Sequence, residues 1–244
     1  MLPVLMGVLL CLPSNAAGPL ANLNEAGLPS TNSQKAAKLV AHGFEEHYRR
    51  ARTIAGVFLE KYTSGGSGLV VESGKVYFEK PGRMRWDYDS PETKMFLVDG
   101  KNVWYYVPAD HTASRTSIKE SSDWRTPLAL LAGKVNLERL CGSLTLGDRH
   151  TPGGKNAKAG EAGDTVLVCR PRKADENIFQ ELLLEVNSRN QLVRLDVNQP
   201  GDIEMDFHFG DWHENVPIEP EKFHFEPPRG VAIVDDAQLG VKAQ

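Results

Sequence analysis

Apolar and polar residues alternate with a period of two over most of the chain after residue 53. In one segment Met84, Trp86 and Tyr88 share one parity, and the charged residues Arg85 and Asp87 take the other. Alternation of this kind is typical of β-strands with one buried face. Strands are predicted to begin near residues 54, 76 and 84 and to cover residues 94–98, 103–107, 143–146, 165–169, 179–186, 192–197 and 203–209.

Glycine-containing turns separate the first of these strands. The segment from Gly65 to Gly68 joins two of them, and Asp99-Gly100 is a strong hairpin signal between two others. No helix of the length that a parallel crossover needs lies in this part of the chain. The pattern therefore predicts an antiparallel meander in which neighbours along the chain are neighbours in the sheet.

One amphipathic helix precedes the strands. Ala36, Val40, Phe44 and Tyr48 recur at every fourth position, and Thr31 stands where a helix cap is expected. A helix with a single apolar stripe must lie against another element.

A second, very short helix interrupts the strands. Thr126 is suited to its N-cap, Pro127 to its first position and Gly133 to the position after its end, and residues 135–140 are predicted to extend it. No internal repeat or inter-domain linker is recognisable. The prediction is a mainly β protein, one long antiparallel sheet with a few helices on one face.

The N-terminus has the features of a secretory signal. Residues 2–12 form an apolar run of about half the length that a membrane-spanning helix needs, and Ser14-Asn15-Ala16 supplies small residues for cleavage. The sequence predicts a signal peptide over residues 1–16, a flexible linker over 17–32 and one domain over 33–244. Leu10 stands before Cys11, where the signal of a lipid-anchored protein has a small residue.

Cleavage after Ala16 removes Cys11 and leaves Cys141 and Cys169. Two cysteines in an exported protein indicate one disulfide. Two buried free thiols are the alternative, because free cysteine is a common core residue.

The charge balance argues against nucleic-acid binding. Lys and Arg number 28 and Asp and Glu 32, which gives a formal net charge of −4, so no basic surplus is available for phosphates. Hydrophobic residues make up 41% of the chain, which is enough for a folded core.

No common catalytic, dinucleotide-binding or phosphate-binding motif occurs in the sequence. His42 and His47 lie on different faces of the predicted helix, and the other histidines are scattered, whereas a metal site needs converging ligands. The sequence therefore predicts no catalytic residue, no metal and no cofactor, and a protein that is not an enzyme. A hydrolase that uses scattered Asp and His residues is the alternative.

One predicted face of the sheet carries large apolar residues, among them Phe58, Phe78, Met84 and Trp86. Such a face either encloses a cavity or fills an ordinary core. Periodicity alone favours the filled core.

Four motifs, in order and over nearly the whole chain after residue 33, resemble the LolA family, the periplasmic outer-membrane lipoprotein carrier proteins of Gram-negative bacteria. They are Lys80-Pro81-Gly82-Arg83-Met84-Arg85-Trp86-Asp87-Tyr88 followed by Pro91, then Asp99-Gly100-Lys101-Asn102-Val103-Trp104-Tyr105-Tyr106-Val107-Pro108, then Thr126-Pro127 with Leu130-Leu131, and Phe223-His224-Phe225-Glu226-Pro227-Pro228-Arg229-Gly230-Val231.

The resemblance implies an incomplete, unclosed β-barrel with a helical lid. It implies a periplasmic monomer that takes the acyl chains of lipoproteins released by an inner-membrane ABC transporter and delivers them to the outer membrane, where a LolB-type receptor is a further possible partner. No nucleic acid is expected as a partner. A lipid-binding sensor or an anchored receptor on the same half-barrel is the nearest alternative.

The resemblance also assigns residues. Lys80, where many members of the family have Arg, is expected to hold the lid shut by donating hydrogen bonds to carbonyls of the lid helix, for which the residues around Thr126 are the candidate. The residues expected to line the lipid cavity are Ile54, Phe58, Val76, Phe78, Met84, Trp86, Leu128 and Leu131.

Overall fold

The computed structural model describes residues 31–66, 68–118, 131, 137–147, 163–172 and 179–235. Two α-helices and twelve strands lie in this part of the chain. The helices are α1 (Thr31–Arg50) and α2 (Leu137–Leu140). The strands are β1 (Thr53–Ser64), β2 (Val70–Glu79), β3 (Arg83–Ser90), β4 (Lys94–Val98), β5 (Asn102–Val107), β6 (Thr112–Ser117), β7 (Cys141–Leu146), β8 (Thr165–Pro171), β9 (Glu181–Val186), β10 (Leu192–Gln199), β11 (Ile203–Glu214) and β12 (Ala232–Asp235).

The strands form one curved sheet in the order β12-β6-β5-β4-β3-β2-β1-β11-β10-β9-β8-β7. β12 and β7 stand at opposite ends of this order, so the sheet is open and does not close into a barrel. β1 to β6 form one antiparallel meander and β7 to β11 another, and β1 pairs with β11 to join them. The predicted fold class and the unclosed barrel are confirmed.

The antiparallel prediction was wrong for the last strand. β12 pairs with β6 in parallel, with Ile233 beside Ala113. The chain reaches this position after leaving β11 and crossing the outer face of the sheet, so β12 arrives in the direction of β6 and not against it. Sequence alternation predicted neither β6 nor β12.

The buried stripe of α1 differs from the predicted one. Ala37, Ala41, Phe44 and Tyr48 are buried, whereas Ala36 and Val40 are only partly buried. A strict repeat of four drifts off the helix face, while steps of four, three and four follow the repeat of 3.6 residues. This face packs mainly against β7 and β8.

Several predicted segments lie largely outside the described residues. The signal peptide over residues 1–16 and the linker up to residue 30 belong to this group, and the linker's last two residues begin α1. Leu131 is described in the predicted lid helix, whereas Thr126 and Leu128 are not.

A second apolar cluster lies on the outer face of the sheet. It contains Met95, Leu97, Trp104 and Phe223. A single turn of 3₁₀-helix, Pro220–Phe223, brings the last of these onto strands β3 to β5. The returning C-terminal segment therefore covers outer-face residues that a one-sided sheet would leave exposed.

Candidate functional site

The inner face of the sheet carries a large apolar surface. The predicted lining residues that the structure describes belong to one cluster, and none is more than 3% exposed. They are Ile54, Phe58, Val76, Phe78, Met84, Trp86 and Leu131. The buried side chains of α1 belong to the same cluster, so the inner face is covered. A lipid cavity with its lid closed and a filled core both require this arrangement.

Trp86 lies near the middle of this surface. Its ring packs edge-on against Phe58, Phe207 and Phe209, with centroid distances of 4.7, 5.4 and 6.0 Å. Val76 on β2 and Phe96 on β4 stand directly beside it in the sheet. The indole is thus fixed by apolar neighbours from strands on both sides.

A polar cluster lies on the inner face beyond Trp86. The Tyr88 hydroxyl donates to Glu60 Oε2 at 2.8 Å, and Lys94 Nζ donates to both carboxylate oxygens of Glu72 at 2.5 and 2.6 Å. Lys94 Nζ also lies 4.5 Å from the centre of the Tyr88 ring. Glu60 is buried. Sequence analysis missed this cluster, although Glu60 has the same inward parity as Phe58.

The C-terminal end of α1 is attached to the sheet through polar contacts. The backbone N–H of Leu192 donates to the Tyr48 hydroxyl at 2.9 Å, and His47 Nε2 lies 2.7 Å from Glu214 Oε1. Lys80 Nζ donates to the carbonyl oxygen of Tyr48. Carbonyls in the last turn of a helix lack partners within the helix, so this lysine satisfies one of them.

Lys80 thus bonds a carbonyl of α1. The segment around Thr126, to which the resemblance assigns this bond, lies outside the described residues. Burial first, and the nearby Arg49 guanidinium second, lower the pKa of the Lys80 ammonium. Both effects disfavour the charged form of Lys80. The hydrogen bond to the Tyr48 carbonyl oxygen partly compensates for them.

Cys141 and Cys169 are joined by a disulfide, with their Cα atoms 5.3 Å apart. Cys141 begins β7 and Cys169 lies in β8, and both belong to the inner cluster. The bond links the strands against which α1 packs.

Acidic residues gather on the outer face of β9 to β11. Asp196 stands opposite Asp206, and Arg194 reaches both, at 3.5 and 2.6 Å. Burial, followed by the carboxylates of Glu204 and Asp206, raises the pKa of Asp196 to about 7. Burial would raise the pKa of Asp206 as well, but hydrogen bonds from His208 and Arg194 outweigh it, and the pKa of Asp206 is lowered.

Within the part of the chain that the structure describes, no three or more His, Cys, Asp or Glu side chains converge as metal ligands. Nor does any helix there combine the length and apolar character that crossing a membrane requires.

The family model of the outer membrane lipoprotein carrier protein LolA matches residues 49–226, which is more than half of the chain. The chain belongs to the LolA family. The matched span contains β1 to β11, the inner face, Lys80 and both bonded cysteines.

Individual relatives agree with the LolA assignment. The outer-membrane lipoprotein carrier protein of Nitrosospira multiformis is 26% identical over 189 residues, covering 76% of this chain and 84% of the relative. That of Chromobacterium violaceum is 26% identical over 184 residues, covering 75% and 82%.

A solved structure also shares the fold. An uncharacterized conserved protein from Thermus thermophilus superposes with a TM-score of 0.50 at 12% identity, covering 82% of this chain and 99% of that one. At this identity the likeness concerns the fold alone.

Proposed function

We propose that this protein is a periplasmic carrier that covers the acyl chains of lipoproteins with its inner face and takes them from the inner to the outer membrane. The observation that supports the proposal is the large apolar surface around Met84 and Trp86 on the inner face, in a chain that belongs to the LolA family. Binding and release are both non-covalent, so the function requires no catalytic residue, metal or cofactor.

The free energy of burying an acyl chain indicates which partners the carrier needs. Burying an acyl chain contributes about 0.8 kcal/mol per CH₂ relative to water, but almost nothing relative to a membrane. Loading from a membrane must therefore be driven externally, which is the role of an inner-membrane lipoprotein-releasing ABC transporter. Release needs an acceptor with better apolar contacts, such as a LolB-type receptor in the outer membrane.

Access to the inner face requires its cover to move. The lining residues are almost fully buried, so an acyl chain must displace α1, the segment that contains Leu131, or both. Hydrogen bonds from the C-terminal half of α1 to the rest of the protein involve Glu45, His47 and Tyr48. Moving this part of the cover breaks these bonds without breaking the pairing of the strands.

The test compares inner-face and outer-face substitutions in binding of a fluorescent fatty-acid analogue and of an acylated lipopeptide. Met84→Glu places a carboxylate among buried apolar side chains, so we expect at least a tenfold loss of affinity, because a charge is costly to bury. Val57→Glu is the control, since Val57 lies on the outer face of β1 and is 42% exposed, and its affinity should stay within about twofold of the original.

Circular dichroism first establishes that both variants fold. If the unsubstituted protein binds neither probe, the proposal fails. Equal binding by Met84→Glu and the unsubstituted protein would favour the filled core instead.

A further inference from the structure

Trp86 carries a buried hydrogen-bond donor that has no acceptor. In the described part of the chain, two buried side-chain polar atoms lack a hydrogen-bond partner, Glu79 Oε2 and Trp86 Nε1. Glu79 Oε2 lies 2.6 Å from Arg83 Nη2 and is therefore paired by charge. Trp86 Nε1 has no such substitute, and Trp86 is fully buried.

In two other tryptophans the indole N–H has a hydrogen-bond acceptor. Trp104 Nε1 donates to Asp99 Oδ2 at 3.0 Å, and Trp212 Nε1 donates to the carbonyl of Leu192 at 2.7 Å. A buried indole N–H ordinarily finds a partner in this way. Trp86 is the exception, and it lies on the face that the proposed function assigns to the cargo.

The side chains that surround the Trp86 ring are apolar. Phe58, Phe207 and Phe209 hold its ring from β1 and β11, and Val76 and Phe96 lie on either side. None of these side chains carries an acceptor. The donor is thus held in a fixed position among side chains that offer it no acceptor.

The chemistry of the missing acceptor follows from this setting. It must be small enough to enter with a hydrocarbon chain and uncharged, because an ionised phosphate or carboxylate is costly to bury among apolar rings. A carbonyl oxygen next to an acyl chain meets both conditions.

We propose that Trp86 Nε1 donates a hydrogen bond to an acyl carbonyl of the cargo, so that the inner face distinguishes an acyl chain from a plain hydrocarbon chain. This inference rests on the proposed acyl-chain binding. The carbonyl belongs to an ester or to an amide, and the hydrogen bond is the same for both.

The test uses three probes of similar chain length: the diester 1,2-dioctanoylglycerol, the diether 1,2-dioctylglycerol and the amide N-octyloctanamide. We expect the unsubstituted protein to bind the diester roughly tenfold more tightly than the diether, the effect of one hydrogen bond. Trp86→Phe removes the N–H and should bring the ratio close to one.

Trp104→Phe is the matched control. It also removes an indole N–H, but one that lies in the outer cluster and donates to Asp99, so the preference for the diester should persist. If Trp86→Phe keeps the preference, or Trp104→Phe loses it as completely, the inference is wrong.

A second measurement needs no stable Trp86 variant. The indole ¹H–¹⁵N resonance of Trp86 should move downfield with a carbonyl probe and not with the diether. A shift with the diester assigns the ester and one with the amide assigns the amide; either supports the inference. Equal shifts with diester, amide and diether overturn it while leaving acyl binding intact, and binding of none of the probes overturns both proposals.

Discussion

At the scale of single residues, the least expected feature is the carboxylate of Asp196. It is buried on the outer face, opposite a second carboxylate at Asp206, and Arg194 lies much closer to Asp206 than to Asp196. The arginine therefore stabilises Asp206 as an anion and leaves Asp196 to bear the penalty of burial. Two neighbouring carboxylates thus acquire pKa values shifted in opposite directions.

The raised pKa of Asp196 makes stability depend on pH. The folded protein holds this proton up to about pH 7, whereas an unfolded chain releases it near pH 4. Stability therefore falls as pH rises between these values, and the penalty is complete above pH 7. Asp196→Asn removes this penalty, so the variant should be more stable than the original protein. The gain in the free energy of unfolding should be larger at pH 8 than at pH 5, by at least ~1 kcal/mol.

Urea unfolding at the two pH values measures this difference. Asp202→Asn is the control, because Asp202 is exposed at the turn between β10 and β11. Its replacement should change the free energy of unfolding by the same amount at both pH values. A gain from Asp196→Asn that is the same at pH 5 and pH 8 would contradict the assigned pKa.

The side of the sheet that each residue faces could largely be predicted from its parity. Met84, Trp86 and Tyr88 are buried on the inner face as the alternation indicates. Hydrogen-bond partners could not be predicted, because the strands that supply them are distant in sequence. The contact between Tyr88 and Glu60 and the missing acceptor of Trp86 are visible only in the folded protein.

At the scale of elements, polar contacts near its C-terminus add to the apolar packing that holds α1 on the sheet. Lys80, at the turn between β2 and β3, donates to the carbonyl of Tyr48, whose hydroxyl in turn accepts the N–H of Leu192. The same residue of α1 is thus held from two separate parts of the sheet. Loss of either contact should loosen the end of the helix before the rest.

Lys80→Leu should weaken the closed position of α1 and speed the release of bound lipopeptide. We expect amide hydrogen exchange in the last turns of α1 to accelerate by roughly threefold to tenfold, as for the loss of one partly exposed hydrogen bond. Lys80→Arg keeps a donor and should restore slow exchange. Lys75→Leu is the control for charge, since Lys75 is exposed on the outer face of β2.

Unchanged exchange and unchanged transfer of lipoprotein to an acceptor in Lys80→Leu would remove Lys80 from the closing of the inner face. Faster exchange in Lys75→Leu as well would indicate a general effect of charge.

Strands with apolar alternation could be predicted, and those without it could not. β6 has the sequence TASRTS, which is mostly polar, and its place in the sheet comes from pairing with β5 and β12. β12 was missed because it gains its partner only after the chain returns across the outer face. Pairing with distant strands, and not local preference, decides both.

At the scale of the whole molecule, the open sheet has two ends, and each is secured differently. β12 is joined to the returning C-terminal segment, which covers the outer cluster around Trp104. At the other end, the disulfide ties β7 to β8. Neither end has the neighbour on both sides that a closed barrel would provide.

Removing the disulfide should destabilise the protein. Cys141 and Cys169 are 28 positions apart, and a crosslink of this kind typically contributes roughly 2–4 kcal/mol. We expect the double variant Cys141→Ala/Cys169→Ala to lose stability of this order in urea unfolding. A reductant should lower the stability of the original protein and leave the double variant unchanged.

Non-reducing mass spectrometry provides the independent check. Two free thiols in the purified protein, or identical unfolding curves for the original protein and the double variant, would exclude a stabilising disulfide.

The pairing of β1 with β11 has a consequence for the order of folding. Phe58 lies beside Phe209, so the central seam of the sheet joins residues separated by most of the chain. A pairing between residues this far apart in sequence forms slowly, because a long loop must close before the two strands can make contact. The free edge of β1 therefore has no partner strand until β11 has been synthesised. Both meanders must be present before the seam, and with it the complete apolar face, can exist.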